Sequence, residues 1–302
     1  MNKISEKAQF ASGALLAVLG GMSWGLSGSM GEYLFDYEGM DSRWLVPIRL
    51  FMAGVILFVY SLMRYGRAEV FRPWKGRRSR IDLLVYGILG ISMCQFTYFL
   101  TIQLANAAIG TIMQDLSPMM ILLCICVLER RKPAATEIIS IALALGGVIL
   151  IVTHGDLSHF AVSPAAILAG TVSSIGVTIY NVYPKQLLAS HPLLVLQSWA
   201  FLMGGAVLGV IFHPWTWGYV PSAIGLLGIV FVVVVGNVVA FTAYMAGVKR
   251  IGPEKAILFG FAEPVTDAII GVALLGNRFT GWDAAGFILI FLMMVLLSKS
   301  GK

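Results

Sequence analysis

The sequence predicts an all-α membrane protein with ten spans in two inverted five-helix repeats. Three observations carry the prediction. First, 58% of the 302 residues are hydrophobic and 12% charged, where a soluble domain has about 25% charged. Second, the apolar residues gather in blocks such as 13–31, 45–63, 138–152, 223–248 and 287–297. A block of about 20 apolar residues crosses a hydrocarbon core of about 30 Å as a helix, and a helix satisfies its own backbone groups there. Third, the second half of the chain repeats landmarks of the first.

In order, the spans are expected at 12–31, 43–63, 82–102, 107–128, 136–153, 164–184, 192–212, 222–247, 254–275 and 281–298. Lys3 and Lys7 ahead of the first block imitate a cleaved signal peptide, but the repeat needs that block as a retained span. Lys and Arg set the orientation. With both termini in the cytoplasm of a cell whose inner membrane holds the chain, 18 of the 21 basic residues face inward, seven of them between Arg64 and Arg80. Only Arg43 and Arg278 face outward, and Arg49 lies within a span. Trp44, Trp215, Trp217 and Trp282 fall at outer span ends, as an interfacial aromatic belt would. The net charge of +6 therefore marks loops and lipid contact, not nucleic acid. Cys94, Cys124 and Cys126 read as small buried hydrophobes.

The repeat covers 12–153 and 164–298. An offset of 146 pairs Gly90 with Gly236, Tyr98 with Tyr244 and Pro118 with Pro264; an offset of 150 pairs Gly20 with Gly170, Tyr33 with Tyr183, Phe51 with Phe201 and Gly54 with Gly204. Five spans per repeat is an odd number, so the second repeat enters the membrane with opposite topology. Inverted repeats let one half rock against the other around a central site, which is how many secondary carriers achieve alternating access. No glycine-rich nucleotide loop is present. His154, His159, His191 and His213 lack metal-ligand spacing. No enzyme activity, cofactor or metal is expected.

These residues resemble the drug/metabolite transporter superfamily, in its EamA-type, ten-helix members. The resemblance rests on Ser23-Trp24-Gly25, Arg49, Gln95-Phe-Thr-Tyr98, Ala105-Asn-Ala-Ala108, Leu116-Ser-Pro118 with Leu128-Glu129-Arg130, and Ala262-Glu-Pro264 with Gly276-Asn-Arg278. It implies a carrier with cytoplasmic termini and a cavity between the repeats, handling amino acids, other small metabolites or drugs. Asn277 departs from the glutamate common in the family, and Asp115 from the usual apolar or aromatic residue.

Ionisable groups inside spans are costly and mark functional sites by default. Four qualify: Arg49, Asp115, Glu263 and Asp267. At 1.5 Å per residue, Arg49, Asp115 and Asp267 share one level below the outer surface, with Glu263 a helical turn deeper. Arg49 either pairs with Asp267 or Asp115, or clamps a substrate carboxylate with its planar fork. Glu263, next to Pro264, either repairs the break that proline makes in a helix or meets the substrate. A carboxyl without a basic partner in a low dielectric holds a proton or meets a positive charge, and Asp115 is placed for either. Trp24, Gln95, Tyr98, Gln114, Trp199, Asn237 and Tyr244 are candidate lining residues, because pockets combine apolar walls with a few placed polar groups. Pro118 and Pro264 are expected to kink their helices. Export of an amino-acid-like solute leads on this reading, with an organic cation or drug, carried with or without protons, as the alternative. A receptor or assembly protein has no need of two matched halves.

Overall fold

The computed structural model describes residues 3–156 and 161–300, leaving His159 outside it. Among the described residues there are helices and no strands. The apolar blocks form helices as predicted, often running further than the hydropathy does. Helix α1 covers Lys3–Asp36 and α2 Ser42–Val70. Helix α2 includes a kink at Gly66, whose φ of 78° lies outside the helical region.

A continuous helix over Arg77–Leu104 is α3 (Arg77–Leu84), a π-helical stretch at Val85–Ser92, and α4 (Met93–Leu104). Helices α5 (Ala107–Gln114) and α6 (Ser117–Leu128) follow, then α7 (Ala135–Thr153) and α8 (Pro164–Val182). The short α9 (Lys185–Ser190) leads to α10 (Leu193–Phe212). Helix α11 (Ala223–Phe231), a second π-helical stretch at Val232–Val239 and α12 (Ala240–Ile251) again form one rod. The chain ends with α13 (Pro253–Gly260), α14 (Ala262–Leu274) and α15 (Gly281–Ser300).

Among the described residues, eight helical segments are long and apolar enough to cross a membrane, against the ten spans expected. The difference lies at the C-terminal end. The ninth expected span is divided at Phe261 into α13 and α14, and in the tenth, α15, the described residues Gly281–Leu297 form an apolar helix. Two helix breaks fall next to the prolines expected to kink their spans. Pro118 and Pro264 lie one or two residues into the helix that restarts after a break, at Asp115–Leu116 and at Phe261 respectively. A proline donates no hydrogen bond and crowds the carbonyl one turn back.

Helix packing is reciprocal between the halves. Helix α1 lies along α12 and α14, while α8 lies along α4, α5 and α6. Helices α2 and α10 cross each other, as do α7 and α15. The α2–α10 crossing needs glycine on both sides. A Cβ on Gly54 would come within 2.6 Å of the Leu202 nitrogen, and one on Gly205 within 2.5 Å of the Phe51 nitrogen. Small residues allow this close approach where lipid supplies no hydrophobic drive for helices to associate.

Trp215, Trp217 and Trp282 are exposed, in keeping with a belt, but Trp44 is not part of it. Trp44 is buried and packs edge-on against Tyr219, with ring centroids 5.0 Å apart.

Candidate functional site

The candidate polar residues within the spans fall into two clusters, with Gln114 and Trp199 in neither. The larger cluster gathers on α1, α4, α5 and α14. Its centre is the Asp267 carboxylate, almost wholly buried: Oδ1 accepts from Ser29 Oγ at 3.0 Å and Oδ2 from Thr111 Oγ1 at 2.7 Å. Thr111 Oγ1 lies 2.9 Å from the Tyr98 hydroxyl, which in turn lies 3.4 Å from Glu263 Oε1. Gly28 makes the room, because a Cβ there would stand 2.9 Å from the Tyr98 hydroxyl and 3.0 Å from Asp267 Oδ1.

Asp115 caps the C-terminus of α5, half-buried, with Oδ2 buried and unpaired. It lies within electrostatic reach of Glu263 and Tyr244. The predicted grouping needs correcting here: Thr111, not Asp115, meets Asp267, while Asp115 acts on Glu263 only through its charge. Tyr244 and Trp24, both half-buried, pack against each other near these acids, with ring centroids 5.0 Å apart and planes tilted by 50°. Gln114 turns away from the acids, its Oε1 accepting from Ser173 Oγ at 3.1 Å and from the Cys94 thiol at 3.5 Å.

The second cluster surrounds Arg49. Its Nη2 donates to Gln95 Oε1 at 2.8 Å and to Asn237 Oδ1 at 2.6 Å, and the guanidinium lies over the Phe99 ring at 3.8 Å. Among the described residues no carboxylate comes within ion-pair distance, so the expected pairing with Asp267 or Asp115 does not form. Depth along the helices put these groups together; the rotation of α2 points Arg49 at amides instead. Amide oxygens and an aromatic face partly offset the cost of a buried cation. Arg49 Nε and Nη1 and Asn237 Nδ2 remain buried without partners.

Trp199 does not line the site. Its indole N–H donates at 2.8 Å to the carbonyl of Val70, the last residue of α2, and its ring sits among Phe58, Phe71 and Trp74. It is a structural anchor.

Three contributors were missed in the sequence. Ser29 and Thr111 are small hydroxyls in apolar runs, and Thr111 stands one turn before Asp115, the only available hint. Glu32 lies just past the predicted end of the first span, yet α1 continues through it. It is buried, accepting from the Ala107 N–H at the start of α5 (2.7 Å) and from Asn277 Nδ2 (2.6 Å). Asn277 thus serves as donor to an acid on α1. A cavity of about 360 Å³ opens beside this bridge, at the ends of α4, α7, α14 and α15. Its wall includes Asp267, Asn277, Arg278, His154 and Asp283.

Apolar helices long enough to cross a membrane thus surround buried acids, with an adjoining cavity. The EamA-like transporter family model matches residues 11–153 and again 164–299, and the chain belongs to that family. It is 32% identical over 290 residues to an uncharacterized inner membrane transporter, YicL, of Salmonella typhimurium, covering 96% of each chain. It is 23% identical to an uncharacterized transporter, YrdR, of Bacillus subtilis, covering 96% of this chain and 92% of that one. A solved structure described only as the crystal structure of a protein shares the fold, with a TM-score of 0.62 at 19% identity and 96% of each chain covered.

Proposed function

We propose that the chain is a secondary carrier for a small organic solute bearing a positive charge, working by alternating access between two inverted five-helix repeats, 12–153 and 164–298. The observation that carries this reading is the imbalance of charge among the intramembrane residues. Asp115, Glu263 and Asp267 have no basic ion-pair partner among the described residues, while Arg49 is engaged by Gln95 and Asn237. A cation entering beside Asp115 and Glu263 would neutralise acids in a low dielectric, and Trp24 and Tyr244 would offer it aromatic faces. The reciprocal helix contacts, the matched π-helical stretches and the matched breaks before Pro118 and Pro264 support the inverted repeat. Cytoplasmic termini follow from the basic loops, and export is the expected direction.

A second reading, an amino-acid-like solute, draws on the unpaired Nε and Nη1 of Arg49, which can take a carboxylate if the halves part. Counterflow in proteoliposomes with labelled organic amines and amino acids, with and without a pH gradient, separates the two. Amine counterflow that Asp115→Asn abolishes is expected. Counterflow of neither class overturns the carrier reading; counterflow of carboxylates lost in Arg49→Lys favours the second.

A further inference from the structure

We infer that the Tyr98 and Thr111 hydroxyls form a proton relay between Glu263 and Asp267, and that the two acids share a single proton. The inference deepens the carrier reading by giving it a proton path through a layer closed to solute. Tyr98 and Thr111 are almost fully buried, at 6% and 1% exposure, whereas Glu263 is half-buried and Asp267 borders the cavity.

The argument is a count of hydrogens. Four oxygens stand in a row, Glu263 Oε1, Tyr98 Oη, Thr111 Oγ1 and Asp267 Oδ2, separated by 3.4, 2.9 and 2.7 Å. Three contacts need three hydrogens, and the two hydroxyls supply one each. The third belongs to a carboxyl. If it is on Glu263, each hydrogen points toward Asp267; if on Asp267, each points toward Glu263. Both arrangements use the same heavy-atom positions. Transfer from Asp267 breaks three O–H bonds and makes three. Asp267 passes its proton to Thr111, Thr111 passes its own to Tyr98, and Tyr98 passes its own to Glu263, so neither hydroxyl is left charged. Ser29 donates to Asp267 Oδ1 in both states.

Among the described residues, the groups facing the row are acidic or neutral apart from one. Asp115, Tyr244 and Cys94 face Glu263, and Glu32 faces Asp267. Arg49 reaches Tyr98 and is bonded elsewhere.

The test is infrared spectroscopy of the purified full chain without any solute, in an Asp115→Asn background so that the neutral-carboxyl band belongs to this pair. In Glu263→Gln the amide donates into the row and Asp267 loses its claim on the proton; Asp267→Asn acts likewise from the other end. The expected result is that either substitution abolishes the whole band. Tyr98→Phe keeps the ring packed on Phe99 and Thr111→Val keeps the β-branch, yet each cuts the row. In either background Asp267→Asn is expected to leave the Glu263 signal unchanged. Single substitutions that each remove only part of the band overturn the relay, as does coupling that survives in both cut backgrounds. Because no solute is involved, such a result leaves the carrier reading standing, and failed counterflow with an intact band does the reverse.

Discussion

Glu32 offers the sharpest test of how the cavity end of the molecule is held. Its carboxylate receives two donors from elements far apart in sequence, Ala107 N–H and Asn277 Nδ2. Leucine in its place fills the volume and removes both acceptors. The Ala107 N–H, buried at the first turn of α5, is then orphaned at a cost of about 1–3 kcal/mol, and Asn277, beside the cavity, adds a smaller loss, for about 2–4 kcal/mol in all. Glutamine should behave differently. Its Oε1 accepts from Ala107, and a half-turn of the Asn277 amide lets Asn277 Oδ1 accept from the new Nε2. Both bonds survive without charge assistance, and the cost of burying an ion disappears, so Glu32→Gln should stay within about 1 kcal/mol of the parent. Thermal unfolding in detergent reads the contrast: Glu32→Leu should lower the midpoint by roughly 3–6 °C and Glu32→Gln by at most about 2 °C. Equal losses in both variants would show that the charge matters and the bonding pattern does not. No loss in either would remove the bridge from the account altogether.

Two further predictions concern packing and pH. Gly205→Ala places a methyl group against the Phe51 backbone, which cannot yield as a side-chain tip would, so a cost of about 1–3 kcal/mol is expected. Gly54→Ala should cost a similar amount, and the pair should be non-additive because both act on the α2–α10 crossing; the monodisperse fraction and unfolding midpoint of the three variants check this. Asp41, which caps α2 from outside the span, is raised by burial, but hydrogen bonds from Arg43 and Gln103 outweigh that and hold its carboxyl below the usual value. A depressed carboxyl stabilises the fold above its unfolded pKa of about 3.9 and loses that contribution as pH falls toward the folded value. Asp41→Asn should therefore flatten the stability curve below about pH 4, and an unchanged acid limb would show that the cap contributes nothing there.

Much of the fold was legible because lipid imposes a long, one-dimensional signal. Blocks of apolar residues have to be helices, and Pro118 and Pro264 interrupt theirs for a reason visible in the residue itself. The acids Asp115, Glu263 and Asp267 stood out because charge in a span is costly, and the structure brings all three together. What the chain alone left open was which groups they meet. Glu32 was overlooked because hydropathy ends at residue 31 while the helix continues to 36, and its partners lie 75 and 245 residues away. Ser29 and Thr111 carry no charge to advertise them. Pairing Arg49 with an acid, one of its two readings, and placing Trp199 in the wall of the site both ignore rotation about the helix axis.

The sequence by itself therefore determined the solvent, the helical class, the family and the odd acids, since these depend on residue type and order along one axis. Tertiary structure alone decided that Arg49 meets amides, that Trp199 holds the end of α2, and that Tyr98 and Thr111 bridge two acids. Those contacts depend on the rotational phase and close approach of separate helices, which glycines such as Gly28 permit and which spacing within one helix does not encode.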